Sequence, residues 1–106
     1  MKSLEELETI IACRGQVSVD QSWTARLLAD GRETCARKFG EEAIETVIAG
    51  TSGSKAEIIH ETADLLYHLL VLLKANDVTV KQVMSELEQR RKQSGLAEKF
   101  NRKPVP

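Results

Sequence analysis

Residues 55–75 read KAEIIHETADLLYHLLVLLKA, and this stretch decides the fold. Ser54 precedes it and Glu57 follows three residues later, which is the spacing of a capping box at the start of a helix. The Leu and Ile side chains recur at helical spacing around a wide arc: Ile58, Ile59, Leu65, Leu66, Leu69, Leu70, Leu72 and Leu73. The pattern predicts a helix over 55–75 that is central, or covered by its own chain on one side and by a partner on the other.

Upstream of this helix, residues 50–54 read GTSGS, which predicts a loop. A helix is predicted before it, over 32–49, with Gly40 inside, marking either close packing or a local break. Its predicted core residues are Cys35, Ala36, Phe39, Ala43, Val47 and Ile48.

Downstream, Asn76 and Asp77 end the central helix, and Thr79 with Gln82 three residues later predicts the start of another. This helix is predicted over 80–93, ending at Gly95 and followed by a short tail. The apolar residues predicted to face inward are Val83, Met84 and Leu87.

The N-terminal part adds two helical segments. Ser3 and Glu6 have capping-box spacing, so a first helix is predicted to run to Arg14 and stop at Gly15. A polar loop over 15–22 then leads to WTARLLAD at 23–30, a short helix. Because no segment is typical of a strand, the sequence predicts an all-α bundle of four to five helices in a single domain, 1–106.

Composition excludes several classes of function. The net charge of −1 gives no field that would recruit nucleic acid, and the longest apolar stretch, 65–73, contains His68 and is too short to span a bilayer. The N-terminus does not resemble a signal peptide. Cys13 and Cys35 lack metal-binding spacing and are predicted to be small core residues in a reducing compartment. We therefore predict a cytoplasmic protein without nucleic-acid or membrane partners.

Two acid pairs carry the candidate chemistry. EEAIE at 41–45 places Glu42 three residues before Glu45, and ETAD at 61–64 places Glu61 three residues before Asp64. Residues three apart share a helix face, and these faces border apolar or small residues. If the two helices pack antiparallel through the 50–54 loop, the pairs would face each other.

Four carboxylates held together in a partly dry site must take up protons or hold a cation. An all-oxygen site suits Mg²⁺ or Mn²⁺, and it lacks the thiolates and imidazoles that favour zinc. The competing interpretation is that each pair belongs to an ordinary solvated helix face. A di-iron site would need two Glu-x-x-His motifs, and only 57-EIIH-60 is present. His68 is predicted to be a packed histidine at a helix margin rather than a ligand.

E-E-x-x-E followed by E-x-x-D resembles the signature of the all-α nucleoside triphosphate pyrophosphatases of the MazG-like superfamily. The flanking stretches SWTARLLADG (22–31), RKFGEEAIETVIAG (37–50) and HETADLLYHLLVLL (60–73) are similar to the phosphoribosyl-ATP pyrophosphatase family, and the likeness covers nearly the whole chain. The resemblance implies a MazG-like bundle that forms a homodimer or a higher oligomer. It also implies Mg²⁺-dependent hydrolysis between the α and β phosphates of phosphoribosyl-ATP, the second step of histidine biosynthesis, in a standalone form without the cyclohydrolase.

The same resemblance suggests roles for individual acids. Glu42, Glu45, Glu61 and Asp64 match the metal-ligand positions, for Mg²⁺ or for Mn²⁺ as a substitute. Glu41 is either an additional ligand or a residue that positions the attacking water. The proton of that water would go to Glu41 or to Glu45, and the sequence does not choose between them.

Substrate contacts are predicted at five positions, each with a structural alternative. Lys38 either pairs with the acids one turn away or reaches a substrate phosphate. Trp23 either anchors its loop or stacks on a base, and Thr24 either caps a helix or contacts ribose or phosphate. Arg91 and Lys99 belong to a basic C-terminal segment that either complements a helix dipole or meets the anionic substrate, across a dimer interface.

Two other functions remain open. One is a house-cleaning pyrophosphatase that acts on noncanonical or deoxynucleoside triphosphates, which the acid motif does not distinguish from the leading prediction. The other is a non-catalytic helical interaction module whose acids are merely solvated.

Overall fold

Five helices follow one another along the part of the chain that this computed structural model describes, residue 1 and residues 3–92. They are α1 (Leu4–Gly15), α2 (Trp23–Asp30), α3 (Arg32–Ser52), α4 (Lys55–Ala75) and α5 (Val80–Arg91). No strand occurs in these residues, so the all-α prediction is confirmed. Within these residues, none of the five helices combines the length and the apolar character that a membrane span requires. That residues 1–106 form one domain stays a prediction.

Short polar side chains start four of these helices, and for Ser3, Ser54 and Thr79 the capping-box spacing in the sequence predicts it. The hydroxyl oxygens of Ser3, Ser22, Ser54 and Thr79 each accept the backbone N–H three residues later. Such caps satisfy amides that have no partner within the helix. The exception is α3, which begins after Gly31 at a φ of 99°. Gly31 is the single residue between α2 and α3, and only glycine adopts this backbone conformation at little cost.

The core lies where α1, α2, α3, α4 and α5 meet around the C-terminal half of α4. Its fully buried apolar residues come from all five helices: Ile11, Leu27, Cys35, Leu70, Val71 and Val80. The central position predicted for the 55–75 helix is therefore confirmed for its C-terminal half. Its N-terminal half differs, since Ile58 and Ile59 are exposed.

Two predicted helix ends were wrong. The 50–54 segment is not all loop, because α3 continues to Ser52 and only Gly53 and Ser54 separate it from α4. The hydroxyls of Thr51 and Ser52 donate to the carbonyl of Ile48 at 3.1 Å, so these residues bond back to their own helix. α5 ends at Arg91 rather than at residue 93, and the predicted stop at Gly95 lies outside the described residues.

Gly40 causes no break, because α3 is continuous through it. Close packing does not explain it either, since a Cβ built there would meet nothing within 4 Å.

Several residues predicted to be buried are exposed. They are Cys13 on α1, Ala36, Val47 and Ile48 on α3, and Val83, Met84 and Leu87 on α5. Val47 is 64% exposed and Ile48 is 57% exposed. Helical periodicity indicates which residues share a face, but it does not show whether this chain covers that face.

A hydrogen bond joins the start of α5 to α1, which is distant from it in the sequence. The backbone N–H of Val80, the first residue of α5, donates to Oε2 of Glu8 on α1 at 2.7 Å. This N–H is one of the amides that a helix leaves unpaired at its start. A carboxylate is also the favoured charge at that end of a helix.

Candidate functional site

α3 and α4 form a helical hairpin that positions the acids. With only two residues between them, two helices of 21 residues each must run antiparallel to pack along their lengths. Thr46 joins them at the level of the acids. Its hydroxyl lies 2.8 Å from the carbonyl oxygen of Glu42 on its own helix and 3.2 Å from that of Glu61 on the other. Thr46 thereby holds the backbone of α3 at Glu42 close to the backbone of α4 at Glu61.

The acids of the two motifs converge. Glu42, Glu45 and Glu61 each offer a carboxylate oxygen, and these oxygens lie within 4.8 Å of one another. Asp64 belongs to a second group of this kind, in which the donor atoms of His60, Glu61 and Asp64 lie within 4.8 Å of one another. Glu61 is common to both groups. The antiparallel packing that the sequence left as an assumption therefore brings the two pairs together.

Crowding of these acids alters their proton affinity. Burial raises the pKa of Glu42 above its ordinary value of 4.5, and the neighbouring Glu45 raises it further. Burial also raises the pKa of Glu61, and the close approach of the like-charged Glu45 raises it further. Both shifts disfavour the charged form, as expected for like charges drawn together out of water. Glu45 thus stands between the two partly buried acids.

The donor set fits a hard divalent cation. Glu42 Oε2 and Glu61 Oε2 are buried and have no hydrogen-bond partner, and Nε2 of His68 is a third such atom. Within the described residues, no Lys or Arg forms an ion pair with Glu42, Glu45 or Glu61. Buried acceptors without donors are costly. A cation held by carboxylate oxygens would satisfy them, and Mg²⁺ and Mn²⁺ prefer such ligands.

Glu41 does not join this cluster. It is half-exposed and lies 3.7 Å from Arg37 and 3.8 Å from Lys38. Lys38, whose side chain is 27% exposed, therefore makes the ion pair that was its structural alternative. The sequence left Glu41 and Glu45 as alternative acceptors for the water's proton. In the structure, Glu45 belongs to the cluster of acids and Glu41 lies outside it.

Trp23 and Thr24 line a different recess. A cavity of about 560 Å³ lies between the end of α1, the start of α2 and the middle of α4. Trp23 is 55% exposed there, whereas Thr24 is buried and its hydroxyl is hydrogen-bonded to that of Tyr67. The interaction with Tyr67 was not foreseen, because residues 24 and 67 have no periodic relation along the chain.

The basic C-terminal residues are not brought to the acids within the described chain. Arg91 stands at the end of α5, where its side chain is 81% exposed and lies 3.4 Å from Glu88. α5 packs chiefly against α1 rather than against the α3–α4 hairpin. Lys99 lies outside the described residues.

A second cavity, of about 430 Å³, adjoins the acids on the side of the hairpin where Gly53 connects α3 to α4. Glu45, His60 and Glu61 form its polar side, and Ile48, Ala49 and Ala56 form part of its apolar side. A recess with acids at one edge and apolar walls would suit a ligand that carries both phosphates, near a cation held by the acids, and an uncharged part that packs on the walls.

Sequence reasoning missed the place of His60 in this site. Nε2 of His60 lies 3.5 Å from Oδ2 of Asp64 and 3.9 Å from Oε1 of Glu61. The four-residue spacing between His60 and Asp64, which places both on one helix face, was the signal available.

Comparison with known proteins agrees with this geometry. A sequence profile of the family described as phosphoribosyl-ATP pyrophosphohydrolase matches residues 4–91. A phosphoribosyl-ATP pyrophosphatase of Cereibacter sphaeroides is 52% identical over 102 residues, covering 96% of this chain and 99% of that protein. One from Agrobacterium fabrum is 52% identical over 98% of this chain and 96% of its own length. One from Allorhizobium ampelinum is 51% identical over 94% and 96%. This chain belongs to the phosphoribosyl-ATP pyrophosphohydrolase family.

Proposed function

We propose that this protein hydrolyses phosphoribosyl-ATP to phosphoribosyl-AMP and pyrophosphate, the second step of histidine biosynthesis. The observation that carries the proposal is sequence identity of 51–52%, over nearly the full length, to proteins named phosphoribosyl-ATP pyrophosphatase. The converging carboxylates supply a site suited to that chemistry.

We propose Mg²⁺, with Mn²⁺ as a substitute, as the cation of this site. Glu42, Glu45, Glu61 and Asp64 would hold it, because their oxygens lie in two groups that share Glu61. When bound, such a cation screens phosphate charge and increases the acidity of water.

The residues of the chain then position the reactants and move one proton. The oxygen of a water attacks the α phosphorus, the bond from that phosphorus to the bridging oxygen breaks, and pyrophosphate leaves. We assign the water's proton to the carboxylate of Glu45, because Glu45 lies among the converging acids. Glu41 is engaged by Arg37 and Lys38, and its role would be to hold Lys38 near the incoming phosphates.

The further substrate contacts remain proposals. Trp23 and Thr24 line the 560 Å³ cavity on the α2 side, and only Trp23 offers an exposed surface to a base or ribose. Arg91 would have to act on the active site of a neighbouring subunit, since α5 of the same chain packs chiefly against α1. For Lys99, a contact with the anionic substrate stays a proposal that rests on the family resemblance.

The decisive experiment follows pyrophosphate and orthophosphate separately when the purified protein meets Mg²⁺ and phosphoribosyl-ATP. We expect pyrophosphate from the wild type. The activity of Glu45→Gln should be lower than that of the wild type by two or more orders of magnitude, because the change removes the proton acceptor. Glu41→Gln, the same change one helical turn earlier, should retain most of the activity, because Glu41 lies outside the converging acids.

Other outcomes would redirect the proposal. Faster pyrophosphate release from a deoxynucleoside triphosphate would favour a house-cleaning pyrophosphatase. No pyrophosphate from any nucleotide, with Glu42→Gln and Asp64→Asn leaving every property unchanged, would favour a non-catalytic interaction module.

We also propose that the protein acts as a homodimer in the cytoplasm. Ile44, Val47, Ile48 and Ile59 expose more than half of their side-chain surface on the α3–α4 hairpin. An exposed apolar face of this kind is typical of a protein–protein contact. A second copy of the chain is the partner that the family resemblance implies.

A further inference from the structure

His68 is held rigidly beside the acids. It lies on α4 one turn after Asp64, is only 8% exposed, and its Nδ1 is 2.8 Å from the carbonyl oxygen of Asp64. The edge of its ring meets Tyr67, with centroids 5.4 Å apart and planes at 80°. The hydroxyl of Tyr67 is in turn bonded to that of Thr24 on α2. The ring therefore has a fixed position and a fixed direction.

The contact at Nδ1 determines what the other ring nitrogen presents. A carbonyl oxygen only accepts hydrogen bonds, so Nδ1 must carry the hydrogen that it donates to Asp64. In a neutral imidazole, the hydrogen on one nitrogen leaves a lone pair on the other. Nε2 of His68 is consequently an acceptor. It is buried, and it has no partner.

Nε2 belongs to a set of three buried atoms without a partner, and with the carboxylates ionised and the imidazole neutral all three are acceptors. The other two are Oε2 of Glu42 and Oε2 of Glu61. His68 is close enough to Glu42 for a charge on the ring to act on that carboxylate, although burial and Glu45 have the larger effects on its pKa. A buried acceptor needs a donor, so Nε2 of His68 and the two carboxylate oxygens call for a group that donates hydrogen bonds to them.

Direct binding of a cation by His68 is disfavoured by distance. Among the described residues, the groups whose donor atoms come within 4.8 Å of one another include His60 and the acids, but not His68. The imidazole is therefore not among the groups that come together for direct binding, and its contact with a bound cation would pass through a water. Mg²⁺ characteristically keeps several waters when it binds to carboxylates, and those waters are strong donors.

We propose that Nε2 of His68 accepts a hydrogen bond from a water in the hydration shell of the cation held by Glu42, Glu45 and Glu61. His68 is then a positioning residue: it fixes where one water of that shell stands relative to the acids. The inference rests on the proposed metal site and goes beyond it, because it assigns a role to a residue outside the acid motif. Loss of such outer partners typically weakens metal binding about 10–100-fold.

The test compares His68→Phe with His68→Gln. Phe keeps a buried ring against Tyr67 and removes both nitrogens, whereas the Gln side chain can place an amide oxygen near the position of Nε2. Titration calorimetry with Mg²⁺ alone should show binding about tenfold weaker for His68→Phe, and a change of about threefold or less for His68→Gln. Water-proton relaxation with Mn²⁺ should show altered water exchange in His68→Phe only.

Two further results keep the inference independent of folding and of the proposed function. Nitrogen NMR of ¹⁵N-histidine-labelled wild type, saturated with Mg²⁺, should show the hydrogen on Nδ1 and none on Nε2, whether or not the variants fold. A hydrogen on Nε2, or Mg²⁺ binding by His68→Phe as tight as that of the wild type, would overturn the inference. Failure of the wild type itself to bind Mg²⁺ would instead refute the metal site.

Discussion

At the scale of single residues, Thr46 has the most specific structural role. Its hydroxyl lies within hydrogen-bond distance of carbonyl oxygens on both helices of the hairpin, those of Glu42 and Glu61. These are the residues whose carboxylates converge. A single oxygen therefore couples the packing of two helices to the spacing of the site. In the sequence, Thr46 could be recognised only as a small residue that lets another helix approach.

Replacing Thr46 by Val tests this coupling. The shape is kept and the hydroxyl is lost, so the free energy of unfolding should fall by about 0.5–1.5 kcal/mol. Mg²⁺ affinity should fall as well, because the acids are no longer held in register. Chemical denaturation and calorimetry measure the two effects. The control is Thr51→Val, since the Thr51 hydroxyl bonds only within α3, to Val47 and Ile48. Equal effects on Mg²⁺ affinity in both variants would contradict the prediction.

The acids themselves predict an unusual dependence of stability on pH. The pKa values of Glu42 and Glu61 are raised in the folded chain, chiefly by burial. A group of this kind binds its proton more tightly when folded, so its contribution to stability is complete below the unfolded value and is lost as pH rises through the folded one. Without metal, these two acids should therefore make the protein less stable at neutral than at mildly acidic pH.

Thermal unfolding without metal, followed from about pH 4.5 to 7.5, measures this contribution. Glu42→Gln should flatten the profile relative to the wild type, and at neutral pH it should be at least as stable. Glu41→Gln is the control, because Glu41 lies outside the converging group. Mg²⁺ at about 100 times its dissociation constant should stabilise the wild type by about 2.7 kcal/mol. A wild-type profile parallel to that of Glu42→Gln would refute the prediction.

At the scale of helices, the starts were predictable and the ends less so. Ser3, Ser54 and Thr79 each have a Glu or Gln three residues later, and each starts a helix in the structure. The end of α3 was missed because GTSGS is typical of a loop, while Thr51 and Ser52 bond to carbonyls of their own helix. Local hydrogen bonds of this kind do not show in composition.

Gly40 offers a test at the same scale. It lies inside α3, and a Cβ added there would meet nothing within 4 Å. Gly40→Ala should therefore raise the free energy of unfolding by about 0.8–1.0 kcal/mol, the usual difference between these residues within a helix. Denaturant unfolding measures it. Gly50→Ala, equally open and on the same helix, should give a similar gain. A loss of stability at position 40 alone would show that the helix does not tolerate a side chain there.

At the scale of the whole molecule, the exposed apolar face is the main departure from the sequence predictions. Val47 and Ile48 fit the helical period as well as the buried Cys35 does, yet they are exposed. Periodicity counts apolar positions without showing whether the same chain or another covers them. The convergence of the acids could be predicted only on the assumption that α3 and α4 pack antiparallel, which the short connection between them favours. The position of Arg91 was not, because it depends on contacts between distant helices or subunits.

The proposed homodimer is tested by charging this face. Sedimentation velocity should show a dimer for the wild type and a shift towards monomer for Val47→Arg, because a buried, unpaired charge opposes association. Ala29→Arg adds the same charge on an exposed position of α2 and should leave the dimer intact. A monomeric wild type, or a dimeric Val47→Arg, would contradict the proposal.

The contact between Glu8 and Val80 makes one backbone amide a reporter of long-range order. Its donor and acceptor are 72 residues apart in the chain, at 2.7 Å. Hydrogen exchange at the Val80 amide should therefore be slow only when α1 and α5 are packed together. Glu8→Ala should increase the exchange rate at Val80, while amides inside α4 keep their rates. Because so distant a contact forms late, protection at this amide should lag behind that of the α3–α4 hairpin during refolding.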